Sequence, residues 1–145
     1  MQYKIYLAGK MNGLSFEDMN NWRHEVSRKL LSLSEMSDTK LNVINPVLYY
    51  NFEEKRHQTE IEVEEFDLAH VISSNIIIVN LDGLRDSIGT IIELHDAHYH
   101  HKIPVIAFGS QELYDNLHPW IKNDITRVEN DIDEMLDYIQ DFYLR

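Results

Sequence analysis

The chain has 145 residues, of which 43% are hydrophobic and 26% charged, a composition typical of one soluble globular domain. Its formal net charge of −12 at pH 7 disfavours nucleic-acid polymers and anionic membrane surfaces as partners. It contains no cysteine, which excludes disulfides and thiolate metal sites, and no apolar run approaches the roughly 20 residues of a membrane span. Without cysteines, and without a basic and then apolar N-terminal segment, the sequence predicts a cytoplasmic protein.

The first half of the chain predicts two strands separated by a helix. Residues 2–8 become apolar toward their end, as in a partly buried strand. After a turn bounded by two glycines, Ser15 is a candidate N-cap for a helix over residues 16–33. Four apolar side chains recur at helical spacing along this segment: Met19, Trp22, Val26 and Leu30. Residues 41–45 predict a short second strand, which Pro46 ends.

The second half alternates helices and strands. The predicted elements are a helix over 58–73, a strand over 75–81, a helix over 88–101, a strand over 102–108, a helix over 111–122 and an amphipathic helix over 132–142. This alternation is typical of a parallel sheet with helices on both faces. We therefore predict a single α/β domain over residues 1–145, with about four to five parallel strands in a three-layer flavodoxin-like or Rossmann-like fold.

The turn after the strand at 75–81 carries the most informative residues. In open α/β sheets, ligands bind beyond the carboxyl ends of the strands, and helix N-termini bind anions. Ser87 is a candidate N-cap, Gly89 allows a ligand to approach the backbone, and the amides of residues 88–90 can bind an anion. Glu93 lies further into the helix between apolar neighbours, where the helix N-terminus favours its ionised form. Such a carboxylate can attack or stabilise an oxocarbenium-like carbon.

A reaction at a glycosidic carbon also needs an acid for the leaving group. Asp67 interrupts the otherwise apolar pattern of the helix at 58–73 and is the candidate for this acid. Glu93 and Asp67 are therefore the predicted catalytic residues.

Five segments of the sequence, taken in order, resemble the nucleoside 2-deoxyribosyltransferase family. They are Tyr6-Leu7-Ala8-Gly9, Asp67-Leu68, Asn75-Ile76-Ile77-Ile78-Val79, Gly89-Thr90-Ile91-Ile92-Glu93 and Lys102-Ile103-Pro104-Val105. The resemblance implies a flavodoxin-like fold and a glutamate nucleophile, matched by Glu93, that takes the deoxyribosyl group from a nucleoside. It also implies an aspartate, matched by Asp67, that helps to protonate the departing base. This chemistry requires neither a metal nor an organic cofactor.

The resemblance also implies a set of substrate-binding residues and a homo-oligomer with shared active sites. The set comprises Tyr6, Gly9 and Lys10 around the first loop, Ser87, Gly89 and Thr90 at the turn that holds the 5′ end of the sugar, and Asn116 and His118 as candidates for a contribution from a neighbouring subunit.

Two substrate classes stay open at this point. Family members that use free nucleosides commonly carry an aspartate two residues before the motif glycine, where this chain has Ser87, while Asp86 is one position too early. A serine there resembles the branch that hydrolyses 2′-deoxynucleoside 5′-monophosphates, and a serine with bare amides accepts a phosphate where an aspartate would repel it. That branch carries an arginine in the first loop, where this chain has Asn12 and only Lys10 as a nearby cation. The sequence predicts N-glycosidic bond cleavage or transfer on either substrate.

Two further functions are compatible with the same pattern. An NAD glycohydrolase-like enzyme also directs a glutamate at a ribosyl carbon, and a nucleotide-binding sensor or interaction module could use the same fold without catalysis. A histidine-rich segment could suggest a metal: it contains His95, Asp96, His98, His100 and His101. It lacks a glutamate-containing zinc motif, so no metal site is predicted.

Overall fold

The computed structural model describes residues 2–50 and 53–144. Its centre is a five-stranded sheet in the order β2-β1-β3-β4-β5, in which every neighbouring pair is parallel. The strands are β1 (Gln2–Ala8), β2 (Lys40–Ile44), β3 (Ile76–Asn80), β4 (Val105–Phe108) and β5 (Arg127–Glu129). This is the flavodoxin-like strand order, so the predicted fold class is confirmed.

Six α-helices cover the sheet over the described residues. They are α1 (Phe16–Glu35), α2 (Glu60–Ile72), α3 (Ile88–His95), α4 (Gln111–Asp115), α5 (Pro119–Lys122) and α6 (Ile132–Tyr143). None of these helices combines the length and the apolar character needed to cross a bilayer.

The two faces of the sheet carry separate hydrophobic cores. On one face, Val71 of α2 and Leu94 of α3 pack against strand residues such as Ile77. On the other face, Val26 of α1 and Met135 of α6 complete the core. The central strands are apolar on both sides because helices exclude water from both faces.

Strands β1 and β3 are neighbours, but their following helices cover opposite faces of the sheet. Such a reversal leaves a crevice beyond the carboxyl ends of the two strands, where ligands bind in folds of this kind. The loop after β1 and the start of α3 therefore meet at the position expected for a ligand site.

Three predicted elements differ from the structure in their bounds. The helix predicted over 88–101 is α-helical only to His95 and continues as a π-helical turn over Asp96–His100. The strand predicted from residue 102 begins at Val105, because Lys102 has a φ of 57° and Pro104 lacks an N–H. The helix predicted over 111–122 is two short helices, since Pro119 begins a new one.

Candidate active site

A cleft of about 710 Å³ opens beyond the carboxyl ends of β1 and β3. The turn after β1 forms one wall, α2 and the loop before it form a second, and the start of α3 forms the third. Glu93, Asp67, Ser87, Gly89, Thr90 and Gly9, all predicted from the sequence as site residues, line it. The structure thus brings together residues that are far apart in the chain.

Glu93 is held in the cleft by a tyrosine beneath it. The Tyr6 hydroxyl donates a hydrogen bond of 2.5 Å to Glu93 Oε2, and Tyr6 is 1% exposed. On α3, Thr90 and Leu94 face the core, and Glu93 lies at the edge of this buried face. The helix therefore presents Glu93 to the cleft with its side chain partly buried.

Burial raises the pKa of Glu93 to about 8, and the negative charge of Asp67 acts in the same direction. The hydrogen bond from Tyr6 and the charge of Arg23 lower it, but they do not offset the burial. Burial therefore outweighs the preference of the helix N-terminus for the ionised form of Glu93, because a dipole effect amounts to about 0.3–1 kcal/mol at such positions.

Asp67 projects from α2 into the same cleft. The Tyr50 hydroxyl donates a hydrogen bond of 2.5 Å to Asp67 Oδ1. Burial raises the pKa of Asp67, opposed by the hydrogen bond from Tyr50 and by the charges of His70 and Arg23. Two carboxyl groups whose protonated forms are favoured by burial thus share one cleft, an arrangement typical of acid–base chemistry.

The start of α3 offers hydrogen-bonding groups to a ligand. Ser87 occupies the N-cap position, but its hydroxyl pairs with the Thr90 hydroxyl at 2.7 Å and not with a helix amide. Helix geometry leaves the amides of Ile88, Gly89 and Thr90 without partners inside the helix. A Cβ added to Gly89 would meet no atom within 4 Å, so this backbone faces open space.

Gly9 has a packing role that the sequence did not reveal. A Cβ at this position would lie 2.7 Å from Trp22 Cζ2 and 3.3 Å from Arg23 Nη2. The absence of a side chain therefore lets the turn after β1 lie directly on α1, and the same glycine forms part of the cleft wall.

Four of the predicted substrate-binding residues do not line the cleft of this chain. Tyr6 is buried beneath Glu93 and contacts that side chain only from below. Lys10 lies against Gly83, where a Cβ would come within 2.6 Å of Lys10 Cδ. Asn116 ends α4, and His118 accepts a hydrogen bond of 3.1 Å from the Trp120 N–H at the start of α5. The assignment of Asn116 and His118 to a neighbouring subunit's site stays a prediction.

Sequence reasoning missed two residues of this site, Arg23 and Tyr50. Arg23 is 0% exposed, and burial lowers its pKa to about 10, so it remains protonated at neutral pH. A signal was present, because Arg23 lies four residues after Met19 and three before Val26, on the apolar stripe of α1. No comparable pattern marks Tyr50, which follows a short 3₁₀ turn.

The histidine-rich segment has a different arrangement. His95 Nδ1 and His98 Nδ1 lie 2.9 and 3.5 Å from the two carboxylate oxygens of Asp124. Over residues 2–50 and 53–144, no three His, Cys, Asp or Glu side chains form a group that could hold a metal ion.

No protein-family model and no curated protein matches the chain. Several solved structures, however, match it. One is the crystal structure of a conserved protein from Enterococcus faecalis V583, with a TM-score of 0.77 and 18% identity over 97% of this chain and 99% of that one. Another is a 2-deoxyribosyltransferase from the psychrotolerant bacterium Bacillus psychrosaccharolyticus, with a TM-score of 0.64 and 21% identity over 93% of this chain and 91% of that one. The chain thus shares its fold with a 2-deoxyribosyltransferase, as the sequence resemblance predicted.

Proposed function

We propose that this chain is an enzyme that cleaves the N-glycosidic bond of 2′-deoxynucleosides and transfers the deoxyribosyl group to water or to another base. One observation carries the proposal: Glu93, held by the Tyr6 hydroxyl, shares with Asp67 a cleft at the strand ends where ligands bind in this fold. The shared fold with a 2-deoxyribosyltransferase supports the same reaction class.

In the first step, the ionised Glu93 attacks the anomeric carbon while the bond between that carbon and the base breaks. Asp67 gives its proton to the departing base, and the deoxyribosyl group becomes an ester of Glu93. In the second step, water or an acceptor base attacks the anomeric carbon and releases the Glu93 carboxylate. The attacking water, or an acceptor base that carries a proton on the attacking atom, gives this proton to Asp67. Glu93 and Asp67 then have the protonation states with which the reaction began.

The electrostatic surroundings of Asp67 and of Glu93 bear on their two proposed roles, proton donor and nucleophile. The raised pKa of Asp67 favours the protonated form that a proton donor needs. Glu93 must ionise, and both the hydrogen bond from Tyr6 and the charge of Arg23 favour its carboxylate. Each carboxyl group accepts a hydrogen bond from a tyrosine hydroxyl, so this contact does not distinguish the two acids. We assign the nucleophile to Glu93 because the sequence resemblance matches it to the glutamate nucleophile of the family.

Charge around the cleft favours a substrate without a phosphate. Five acidic side chains line the cleft: Glu60, Glu64, Asp67, Asp86 and Glu93. Even with Asp67 and Glu93 protonated, the other three remain. The basic side chains that line it are Lys55 and His57. A 5′-monophosphate or the diphosphate of NAD would meet a net negative field, whereas Ser87 and the amides at the start of α3 can bind a neutral 5′-hydroxyl.

A chromatographic screen of deoxynucleosides, their 5′-monophosphates and NAD, with and without an acceptor base, tests the proposal. Free base released without an acceptor identifies a hydrolase, and base exchange identifies a transferase. Faster turnover of monophosphates would overturn the substrate assignment, and nicotinamide release would favour an NAD glycohydrolase. Ligand binding without turnover of any substrate would identify a sensor and refute the enzyme.

We further propose that the chain works as a homo-oligomer in which Asn116 and His118 approach a neighbour's cleft. Light scattering coupled to size-exclusion chromatography measures the oligomeric state. A monomer that turns over nucleosides would refute this part alone.

A further inference from the structure

Arg23 is a buried charge that forms no ion pair with any residue that the structure describes. It is 0% exposed on the inner side of α1, and its guanidinium lies 4.6 Å from the Trp22 ring centroid. Its three hydrogen bonds go to backbone carbonyls: Nε to Leu7 at 3.2 Å, Nη1 to Met19 at 2.6 Å and Nη2 to Gly9 at 2.9 Å. Among the residues described, no carboxylate lies within ion-pair distance of it. Because an unpaired buried charge is costly, its location requires a specific explanation.

Two of these carbonyls belong to residues that line the cleft, Gly9 and Met19. Leu7 and Gly9 flank the end of β1, where the strand passes into the turn that lines the cleft. The backbone of Gly9 packs directly on Trp22 and Arg23, with no room for a side chain between them. Arg23 therefore fixes the position of this turn.

The charge of Arg23 also acts on the carboxyl groups of the cleft. Four groups from four elements act on or surround Glu93: Tyr6 from β1, Arg23 from α1, Asp67 from α2 and Tyr50 from the loop between β2 and α2. Arg23 is the positive group among them, and it lowers the pKa of both Glu93 and Asp67. Its hydrogen bonds are taken up by backbone carbonyls, so it acts on these carboxyl groups through space and not as a contact partner.

We propose that Arg23 is a positioning residue of this site, which fixes the turn after β1 as a wall of the cleft and places a buried positive charge behind Glu93 and Asp67. Its contribution to catalysis rests on the proposed glycosyl transfer, but its coupling to Glu93 does not. An arginine with a structural role alone would hold the turn without affecting the ionisation of Glu93.

The intact chain allows a first test by NMR titration. The side-chain Nε–H resonance of Arg23 should shift with pH at the same midpoint as the carboxyl carbon of Glu93. This step should disappear in Glu93→Gln. An Arg23 resonance whose chemical shift does not change when Glu93 ionises would overturn the proposal.

Variants of Arg23 separate its charge from its shape. In Arg23→Gln the pKa of Glu93 should rise by about one unit, and Arg23→Lys should recover at least half of that shift. Arg28→Gln, on the exposed side of the same helix, is the matched control and should leave the pKa unchanged. An unchanged pKa in folded Arg23→Gln refutes the proposal. If that variant does not fold, Arg23→Lys and the intact-chain titration decide.

The catalytic readout follows the same logic. In Arg23→Gln the limb of the pH profile of kcat/KM that reports the ionisation of Glu93 should move to higher pH by the same amount as the pKa of Glu93, and Arg23→Lys should recover at least half of that movement. The NMR experiments need no substrate. A chain without turnover that keeps the coupling would therefore refute the proposed function alone, and turnover with an unmoved pKa would refute the role of Arg23 alone.

Discussion

Helix α3 separates two carboxylates in opposite surroundings. On one side, Glu93 faces the cleft, bonded to the Tyr6 hydroxyl and influenced by the negative charge of Asp67. On the other side, a second cavity of about 500 Å³ contains Asp124, which is 7% exposed and paired with His95 and His98.

The difference lies in the charge of the nearest partners. Asp124 faces two imidazoles that can carry a positive charge, so its own charge can be compensated locally. Glu93 has a neutral hydroxyl as its direct partner and a second acid nearby, so burial raises its pKa. An acid that is buried against another acid is costly to maintain, and such groups cluster at functional sites. The cleft side of α3 therefore carries the proposed chemistry, and the histidine side serves packing.

Replacing Glu93 by Gln should have the largest effect. Loss of the nucleophile should reduce nucleoside cleavage by at least about 10³-fold with the fold intact, because the amide cannot form the glycosyl ester. Glu65→Gln, an exposed acid on α2 outside the cleft, is the control and should retain activity. Rates with saturating deoxynucleoside and circular dichroism of both variants measure the effect. Full activity in Glu93→Gln would refute the proposed mechanism.

Replacing Asp67 by Asn should have the next largest effect. Without the proton donor, turnover should fall by roughly 10²- to 10⁴-fold. The loss should be smaller for a substrate whose base is a good leaving group, since such a base departs without a proton. A comparison of natural deoxynucleosides with nitrophenyl deoxyriboside measures this dependence. An equal loss on both substrates would place Asp67 outside proton transfer.

The two sides of α3 were not equally predictable from the sequence. The sequence predicted Glu93 as a site residue because one short segment, a turn followed by a helix, supplies both the helix N-terminus and the acid. Its raised pKa could not be predicted, because burial and the charge of Asp67 raise it against the opposing effects of Tyr6 and Arg23, and these three residues come from other elements. The partner of His95 could not be found either, since Asp124 is 29 residues away.

The fold itself was predictable for a related reason. Alternation of apolar strands with helices is a local signal, and it predicted the parallel sheet and most element positions. The errors lie where geometry depends on a neighbour: the π-helical turn after His95 and the break before Pro119 have no periodic signature. The position of the Lys10 side chain also depends on a neighbour, since it packs on Gly83 from another loop.

Activity should depend on pH through the ionisation of Glu93. Because the proposed nucleophile is the Glu93 carboxylate and the proposed proton donor is protonated Asp67, kcat/KM should rise roughly tenfold per pH unit up to the lower of their two pKa values, stay level between them and fall above the higher. The pKa of Glu93, about 8, sets one of these limits. The stability that Glu93 contributes should fall as the pH rises. The folded pKa lies above the ordinary value of 4.5, so the contribution of this group is complete below pH 4.5 and is lost as the pH rises through 8. Thermal unfolding of the wild type and of Glu93→Gln across this pH range measures this loss of stability. The same pH dependence of stability in both proteins would contradict the raised pKa of Glu93.

Replacing Tyr6 by Phe should have a moderate effect on turnover. The hydroxyl stabilises the ionised Glu93, so its removal should raise the pKa of Glu93 further and move the limb of the pH profile that reports Glu93 to higher pH. The rate at neutral pH should fall about tenfold, as expected for a lost hydrogen bond to a charged group. Tyr3→Phe, on the same strand, is the control. A uniform loss of rate at all pH values would indicate a role in substrate binding instead.

Replacing Asp124 by Asn should have the smallest effect on turnover and a clear effect on stability. The variant loses the charge that His95 and His98 face, while its amide oxygen can still accept one hydrogen bond. Because His95 is half exposed, solvent weakens the pair, and the free energy of unfolding should fall by only about 1 kcal/mol. Denaturant unfolding measures that loss, and kcat/KM should stay within about twofold of the wild type, since a surface outside the site contributes no transition-state stabilisation. A large loss of activity with a stable fold would show that both sides of α3 take part in the chemistry, which would remove the distinction between the two acids.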